Sequence, residues 1–216
     1  MARRAMAKRA FDLLGAALGL LLLAPLLAVL ALLIKRDSPG PVFFRQRRIG
    51  RGGQAFRIHK LRTMVAGADG PPLTVGADPR ITRTGAWLRR TRLDELPQLI
   101  DVLRGDMSLV GPRPEVPEFV ALYPAALRER VLSVRPGIVD PASLAFRDEA
   151  ALLAAAPDPQ RAYAEQVLPE KLRLSADYID RATLWSDLRL IVRTIATLMA
   201  AQAAGTPPSK APQARR

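Results

Sequence analysis

Two adjacent carboxylates, Asp94 and Glu95, follow Arg89, Arg90 and Arg92 and precede Pro97. Neighbouring carboxylates repel, so a cation is expected between or beside them. Mg²⁺ takes oxygen ligands and commonly joins one or two carboxylates to a substrate phosphate. An ionised aspartate can also attack phosphorus and form an aspartyl-phosphate. The plain alternative is an acidic pair at a helix start, countered by the nearby arginines; spacing alone leaves both readings open. Arg113 lies between Pro112 and Pro114. Two prolines hold that backbone stiff and extended, a good mount for a guanidinium fork toward phosphate or carboxylate. Lys60 and Arg62, in the run Lys60-Leu61-Arg62-Thr63-Met64, either form a solvated basic face beside anionic headgroups or point into a phosphate site. Composition does not separate the two.

The chemistry left open is narrowed by what the chain lacks. It has 216 residues, 33 Lys+Arg against 20 Asp+Glu, a net charge of +13, one His and no Cys. Without Cys there is no disulfide or thiolate chemistry. With His59 alone, a histidine-based triad or a typical zinc site is not expected. The positive charge calls for an anionic partner: nucleic acid, anionic lipid or a phosphorylated substrate. No helix-turn-helix, zinc or stacking-aromatic pattern accompanies it, so nucleic acid is not expected.

The elements that must position these residues start with residues 13–34, which carry no charge. About 20 apolar residues suffice to span a bilayer. Basic residues flank both ends: Arg3, Arg4, Lys8 and Arg9 before, Lys35 and Arg36 after. Pro25 sits mid-run and is expected to bend the helix. Basic flanks on both sides favour one membrane face, so a re-entrant and a spanning helix both stay open. Residues 42–46 and 55–59 read as two strands joined by a glycine-rich turn at 50–53, which lacks P-loop spacing. Residues 65–78 read as a loop and 86–90 as a short helix. Thr91-x-x-Asp94 resembles a capping box, predicting a new helix with Asp94 and Glu95 in its first turn and Leu96, Leu99, Ile100 and Leu103 on its buried face. Helical segments are expected over 115–134 (interrupted at Tyr123-Pro124), 149–157, 158–167 and 184–199.

Taken together, seven stretches resemble the bacterial sugar transferases known as monotopic phosphoglycosyl transferases. They are Lys8-Arg9-Ala10-Phe11-Asp12, Gly40-Pro41-Val42-Phe43-Phe44-Arg45-Gln46, Lys60-Leu61-Arg62-Thr63-Met64, Arg80-Ile81-Thr82-Arg83-Thr84-Gly85, Leu93-Asp94-Glu95-Leu96-Pro97-Gln98-Leu99, Asp106-Met107-Ser108-Leu109-Val110-Gly111-Pro112-Arg113-Pro114 and Arg135-Pro136-Gly137-Ile138. The resemblance covers residues 8–197 in the family's order.

It implies a mainly α fold with a small β-hairpin (α+β), held to the bacterial inner (cytoplasmic) membrane by an N-terminal re-entrant helix kinked at Pro25. The organisation expected is a membrane segment at 1–36, a catalytic domain on the cytoplasmic face at 37–200 and a disordered tail at 201–216. It implies that Asp94 takes a sugar-1-phosphate from a UDP-sugar and releases UMP. Polyprenyl (undecaprenyl) phosphate then attacks that intermediate, in the first membrane step of glycan assembly. Glu95, with Asp94, would hold Mg²⁺. Lys60, Arg62, Arg89, Arg113, Arg135 and Arg147 would bind substrate, Arg113 at the nucleotide-sugar. Membrane lipids are implied partners, and a homo-oligomer is compatible with the pattern. Three departures stand out: residues 139–149 diverge from the usual continuation, Ser175 replaces an acidic partner expected for Arg113, and Ala24 replaces the usual serine before the membrane proline.

Overall fold

The computed structural model describes residues 2–68, 78–146 and 149–203. Its first element, α1 (Ala2–Asp37), is a 36-residue helix with Pro25 inside it. The expected bend does not interrupt the element: α1 continues through Pro25 as one helix. Proline removes a single N–H from the ladder, and the bonds on either side hold the segment helical. The segment is one helix of about 54 Å at 1.5 Å per residue.

One stripe of α1 is turned inward along nearly its whole length. Asp12, Ala16, Leu30 and Ile34 are buried, at i, i+3 and i+4 multiples. Leu14, Leu18, Leu21, Leu22, Val29 and Leu32 face outward, apolar and exposed. The buried stripe enters two cores. Ala16 packs with Ile58, Leu99, Val102 and Met107, whereas Leu30 and Ile34 pack with Leu61 and Leu88. Polar contacts pin both ends of the helix. Arg9 donates to the carbonyls of Val102 (2.8 Å) and Leu103 (3.2 Å). Asp12 accepts from Ser108 Oγ at 3.0 Å and Leu109 N at 3.1 Å. Near the other end, Asp37 accepts the N–H of Thr84 at 2.8 Å.

The hairpin forms as expected, with longer arms. Strands β1 (Phe43–Ile49) and β2 (Ala55–Leu61) pair antiparallel, with Phe44 opposite Lys60 and Arg45 opposite His59. Gly52 and Gly53 turn the chain between them at φ +67 and +78, a region open to glycine at little steric cost. Helix α2 (Arg83–Thr91) is capped by Thr82, whose Oγ1 accepts from Gly85 N at 3.0 Å. Helix α3 (Gln98–Arg104) follows, ending at Gly105 in the left-handed region.

Strand β3 (Ser108–Val110) pairs in parallel with β4 (Gly137–Val139), which the sequence reading did not separate as strands. The crossing is close: a Cβ on Gly137 would lie 2.0 Å from the backbone N of Gly111. Between these strands stand α4 (Pro117–Val120) and α5 (Ala125–Leu132), divided at Tyr123-Pro124 as the sequence predicts. The chain ends in α6 (Pro141–Ala145), α7 (Glu149–Ala154), α8 (Pro159–Ala162), a π-turn at Tyr163–Val167, α9 (Leu168–Arg181) and α10 (Leu184–Ala203). A third core, with Val120, Tyr123, Val131, Leu153, Tyr163, Val167 and Leu172, holds this half together. Helix α10 passes residue 200, so the tail reading is left with residues 204–216, which lie outside the described residues.

Candidate active site

Asp94 and Glu95 do not sit in the first turn of a helix begun by Thr91. Thr91 is the last residue of α2, and its hydroxyl donates backward to the carbonyls of Trp87 (3.0 Å) and Leu88 (3.1 Å). Arg92 then adopts φ 58, ψ 14. A left-handed residue stops a right-handed helix. The carboxylates lie in the 3₁₀ turn Leu93–Glu95 that follows, closed by Glu95 N to Arg92 O at 3.2 Å and Leu96 N to Leu93 O at 3.3 Å. The pair is therefore not at the start of an α-helix. Side chains, not a helix dipole, set the charge of this site.

Both carboxylates are buried, Asp94 at 2% and Glu95 at 6% exposure. Lys60, from the end of β2, stands between them: its Nζ is 2.9 Å from Asp94 Oδ2 and 3.3 Å from Glu95 Oε1. Arg113 closes the other side of Glu95, with one guanidinium nitrogen 2.7 Å from Oε1 and the other 3.4 Å from Oε2. Arg92 adds a third contact to Oε1 at 3.6 Å. Burial alone would raise the pKa of Glu95. Arg113, Lys60 and Arg92 outweigh it, and the group lies well below the usual carboxylate range. Arg113 in turn is raised, chiefly by Glu95. Arg89 is lowered by burial, with Asp94 pulling the other way, and it donates to Thr63 Oγ1 at 3.4 Å. Four cationic side chains thus surround two carboxylates, a surplus suited to an anionic ligand.

At the carboxylate pair, one atom stands apart. Asp94 Oδ1 is buried and has no hydrogen-bond partner. Buried carboxylate oxygens are rarely left so, and the exceptions call for a functional reason.

The remaining expected site residues divide. Lys60, Arg89 and Arg113 gather at the pair. Arg62 does not; it is 5% exposed, and it donates to the carbonyls of Pro39, Ser38 (2.7 Å) and Ile34 (3.5 Å), closing the end of α1. Helix C-termini leave carbonyls unpaired, and this arginine satisfies them. Arg135 donates through Nε to Gly105 O at 2.8 Å, at the end of α3. Arg147 lies outside the described residues. The acid expected near Ser175 as partner for Arg113 is supplied by Glu95.

Sequence reasoning missed a second buried group behind Arg113. Arg48 donates to Pro114 O at 2.9 Å and lies 3.6 Å from Glu115, which accepts from Tyr163 OH at 2.7 Å. These contacts stiffen the backbone on which Arg113 is mounted. The only signal in sequence was a charged residue next to the Pro-Arg-Pro triplet.

Among the described residues, no cluster of three or more His, Cys, Asp or Glu forms a protein-only metal cage. The donor set suits Mg²⁺ as an ion shared with a substrate, because Mg²⁺ is commonly held by one or two carboxylates plus phosphate and water. Asp94 and Glu95 are the residues that would hold it.

A family model described as bacterial sugar transferase matches residues 3–201. A UDP-glucose:undecaprenyl-phosphate glucose-1-phosphate transferase of Caulobacter vibrioides is 42% identical over 197 residues, 89% of this chain and 69% of that protein. A UDP-N-acetylgalactosamine-undecaprenyl-phosphate N-acetylgalactosaminephosphotransferase of Aeromonas hydrophila is 36% identical over 200 residues, covering 89% of this chain and 43% of its own length. The exopolysaccharide production protein ExoY of Rhizobium meliloti is 35% identical over 207 residues, 88% of this chain and 84% of that protein. The chain thus spans less than half of some relatives and most of others.

Proposed function

The chain belongs to the bacterial sugar transferase family and is a transferase, and from that premise we propose that it moves a sugar-1-phosphate from a UDP-sugar to undecaprenyl phosphate through a covalent intermediate on Asp94. The observation that carries this reading is the buried, unpartnered Oδ1 of Asp94 set among four cations.

In the first step, Asp94 Oδ1 attacks the phosphorus that bears the sugar. The P–O bond to the UMP phosphate breaks, and UMP leaves with that electron pair. In the second step, a phosphate oxygen of the polyprenyl phosphate attacks the same phosphorus. The bond to Asp94 breaks, the carboxylate is restored, and polyprenyl-diphospho-sugar is the product. An anionic nucleophile meets an anionic substrate in both steps, so neutralising and orienting charge is the main task. Lys60, already on Asp94 Oδ2, keeps that oxygen occupied and aims Oδ1. Arg113 and Arg89 offer guanidinium donors to substrate phosphate, and Glu95 fixes where Arg113 stands. Mg²⁺, held by Asp94 and Glu95, would supply further neutralisation of the diphosphate.

The second substrate places the reaction at a membrane. Helix α1 is long and apolar enough to cross one. In our reading it does not, because both of its ends bond to the same folded unit, through Arg9 and Asp12 at one end and Asp37 at the other. A spanning helix would separate its ends by about 30 Å of hydrocarbon. Its outward leucines lie in one leaflet, and its basic flanks set it, with the site, on the cytoplasmic face of the inner membrane. The product suits the first membrane step of polysaccharide assembly.

The test is UMP release by the detergent-purified chain with Mg²⁺, undecaprenyl phosphate and a panel of UDP-sugars. Asp94→Asn is expected to release no UMP and to form no sugar-phosphate adduct by intact-mass spectrometry. Wild-type turnover in Asp94→Asn would sink the mechanism.

A further inference from the structure

One buried ionisable pair takes no part in the chemistry above. Asp101, on α3, is 0% exposed. Its Oδ2 accepts the backbone N–H of His59 at 2.7 Å, and its Oδ1 lies 2.5 Å from His59 Nδ1. The His59 N–H belongs to the edge of β2 on which, among the described residues, no strand pairs. The imidazole is set edge-on to Phe43, ring centroids 6.5 Å apart. Asp101 is itself fixed, because its carbonyl accepts the N–H groups of Asp106 and Met107 at 3.1 Å each.

The clamp joins the two pieces of backbone that face each other across the site. His59 directly precedes Lys60. The helix carrying Asp101 begins three residues after Glu95. A lysine ammonium rides on a flexible stem of four carbons, so its placement depends on where its own strand is held. Here the Lys60 nitrogen must reach Asp94 at 2.9 Å and Glu95 at 3.3 Å at once. An apolar residue at 101 would leave the His59 N–H without a partner and would not fix how far β2 slides along α3. A carboxylate holding both the backbone and the ring of one residue does both.

We propose that Asp101 and His59 are positioning residues for the transfer reaction: their double contact locks β2 to α3 and thereby sets Lys60 between Asp94 and Glu95. The proposal rests on Asp94 and Glu95 being the reacting pair, but its central claim concerns Lys60 and can be read without turnover.

The experiment uses the full chain in detergent, as wild type, Asp101→Asn and His59→Phe. The second variant keeps the carboxylate on the backbone N–H and loses only the ring contact. Amines are reductively methylated with formaldehyde and a borane, and rates at individual lysines are read by peptide mass spectrometry. Lys171, buried and paired with Glu149, is the control for general loosening. In Asp101→Asn, Lys60 is expected to react about threefold faster, as local opening frees its amine, with Lys171 unchanged. In the UMP assay, kcat should fall about tenfold while KM for the UDP-sugar stays within about twofold, the effect of a misplaced group rather than lost binding. His59→Phe should move the same quantities in the same direction by less. Unchanged Lys60 reactivity in both variants, an equal rise at Lys171, or faster Lys60 with wild-type kcat would each overturn the proposal. A wild-type protein inactive with every UDP-sugar would overturn the transferase reading instead, and the methylation rates would still decide whether the clamp holds Lys60.

Discussion

Replacing Arg113 by leucine removes the closest cation from Glu95 while leaving the carboxylate buried. The lost contacts are 2.7 Å to Oε1 and 3.4 Å to Oε2. What remains on Oε1 is Lys60 at 3.3 Å, shared with Asp94, and Arg92 at 3.6 Å from a side chain 42% exposed. Oε2 keeps no partner among the described residues. Breaking a buried pair from one side costs about 3–5 kcal/mol. Two cations still serve Oε1, so about 2–3 kcal/mol is expected here. For a chain of this size each kcal/mol shifts Tm by about 2–4 °C, giving a fall of about 4–12 °C. The sign with pH follows from Glu95. Its folded pKa is depressed, against the pull of burial, by Arg113, Lys60 and Arg92. A depressed carboxylate contributes stability above its unfolded pKa of about 4.3 and loses it as pH falls through the folded value. The gap between wild type and Arg113→Leu should therefore be full at neutral pH and narrow below about pH 4. Intrinsic-fluorescence melts of the detergent-solubilised chain across pH measure it. Equal melting temperatures at neutral pH, or a gap just as wide in acid, would refute the account of Glu95.

Other outcomes test the frame around the site. Arg62→Met should lower Tm, at about 1–3 kcal/mol for carbonyls left without their donor, and leave KM for the UDP-sugar unchanged; a raised KM would return Arg62 to the substrate. Gly137→Ala drives a Cβ to 2.0 Å from the backbone N of Gly111, so β3 and β4 must part and Arg113 lose its mount. The loss should exceed that of Gly52→Ala, where nothing lies within 4 Å and only the positive φ opposes the change, at about 1–2 kcal/mol. Melts of the two variants side by side decide it.

Much of this protein was legible in its local pattern. The uncharged run with basic flanks predicts a membrane helix, and α1 forms there. Aromatic and alternating residues around a glycine turn predict the hairpin, and β1 and β2 pair there. Both features depend on neighbours in sequence, where hydrophobic period and turn chemistry suffice. The start of the helix after Arg90 was misread for the same reason: Thr91-x-x-Asp94 has the spacing of a cap, but a single left-handed residue, Arg92, ended one helix and turned the carboxylates into a 3₁₀ corner.

That Asp94 and Glu95 stand side by side was decided by sequence alone, and so was the excess of cations able to serve them. Which cations reach them was decided by packing. Lys60 and Arg62 are two residues apart with the same charge, yet Lys60 lies between the carboxylates and Arg62 closes α1. Arg113 reaches Glu95 across 18 positions and Lys60 across 35. Those distances depend on how β2, α3 and the β3–β4 crossing settle against α1. Local propensity does not encode contacts of that span; they exist only once the buried stripe of α1 has drawn the elements together.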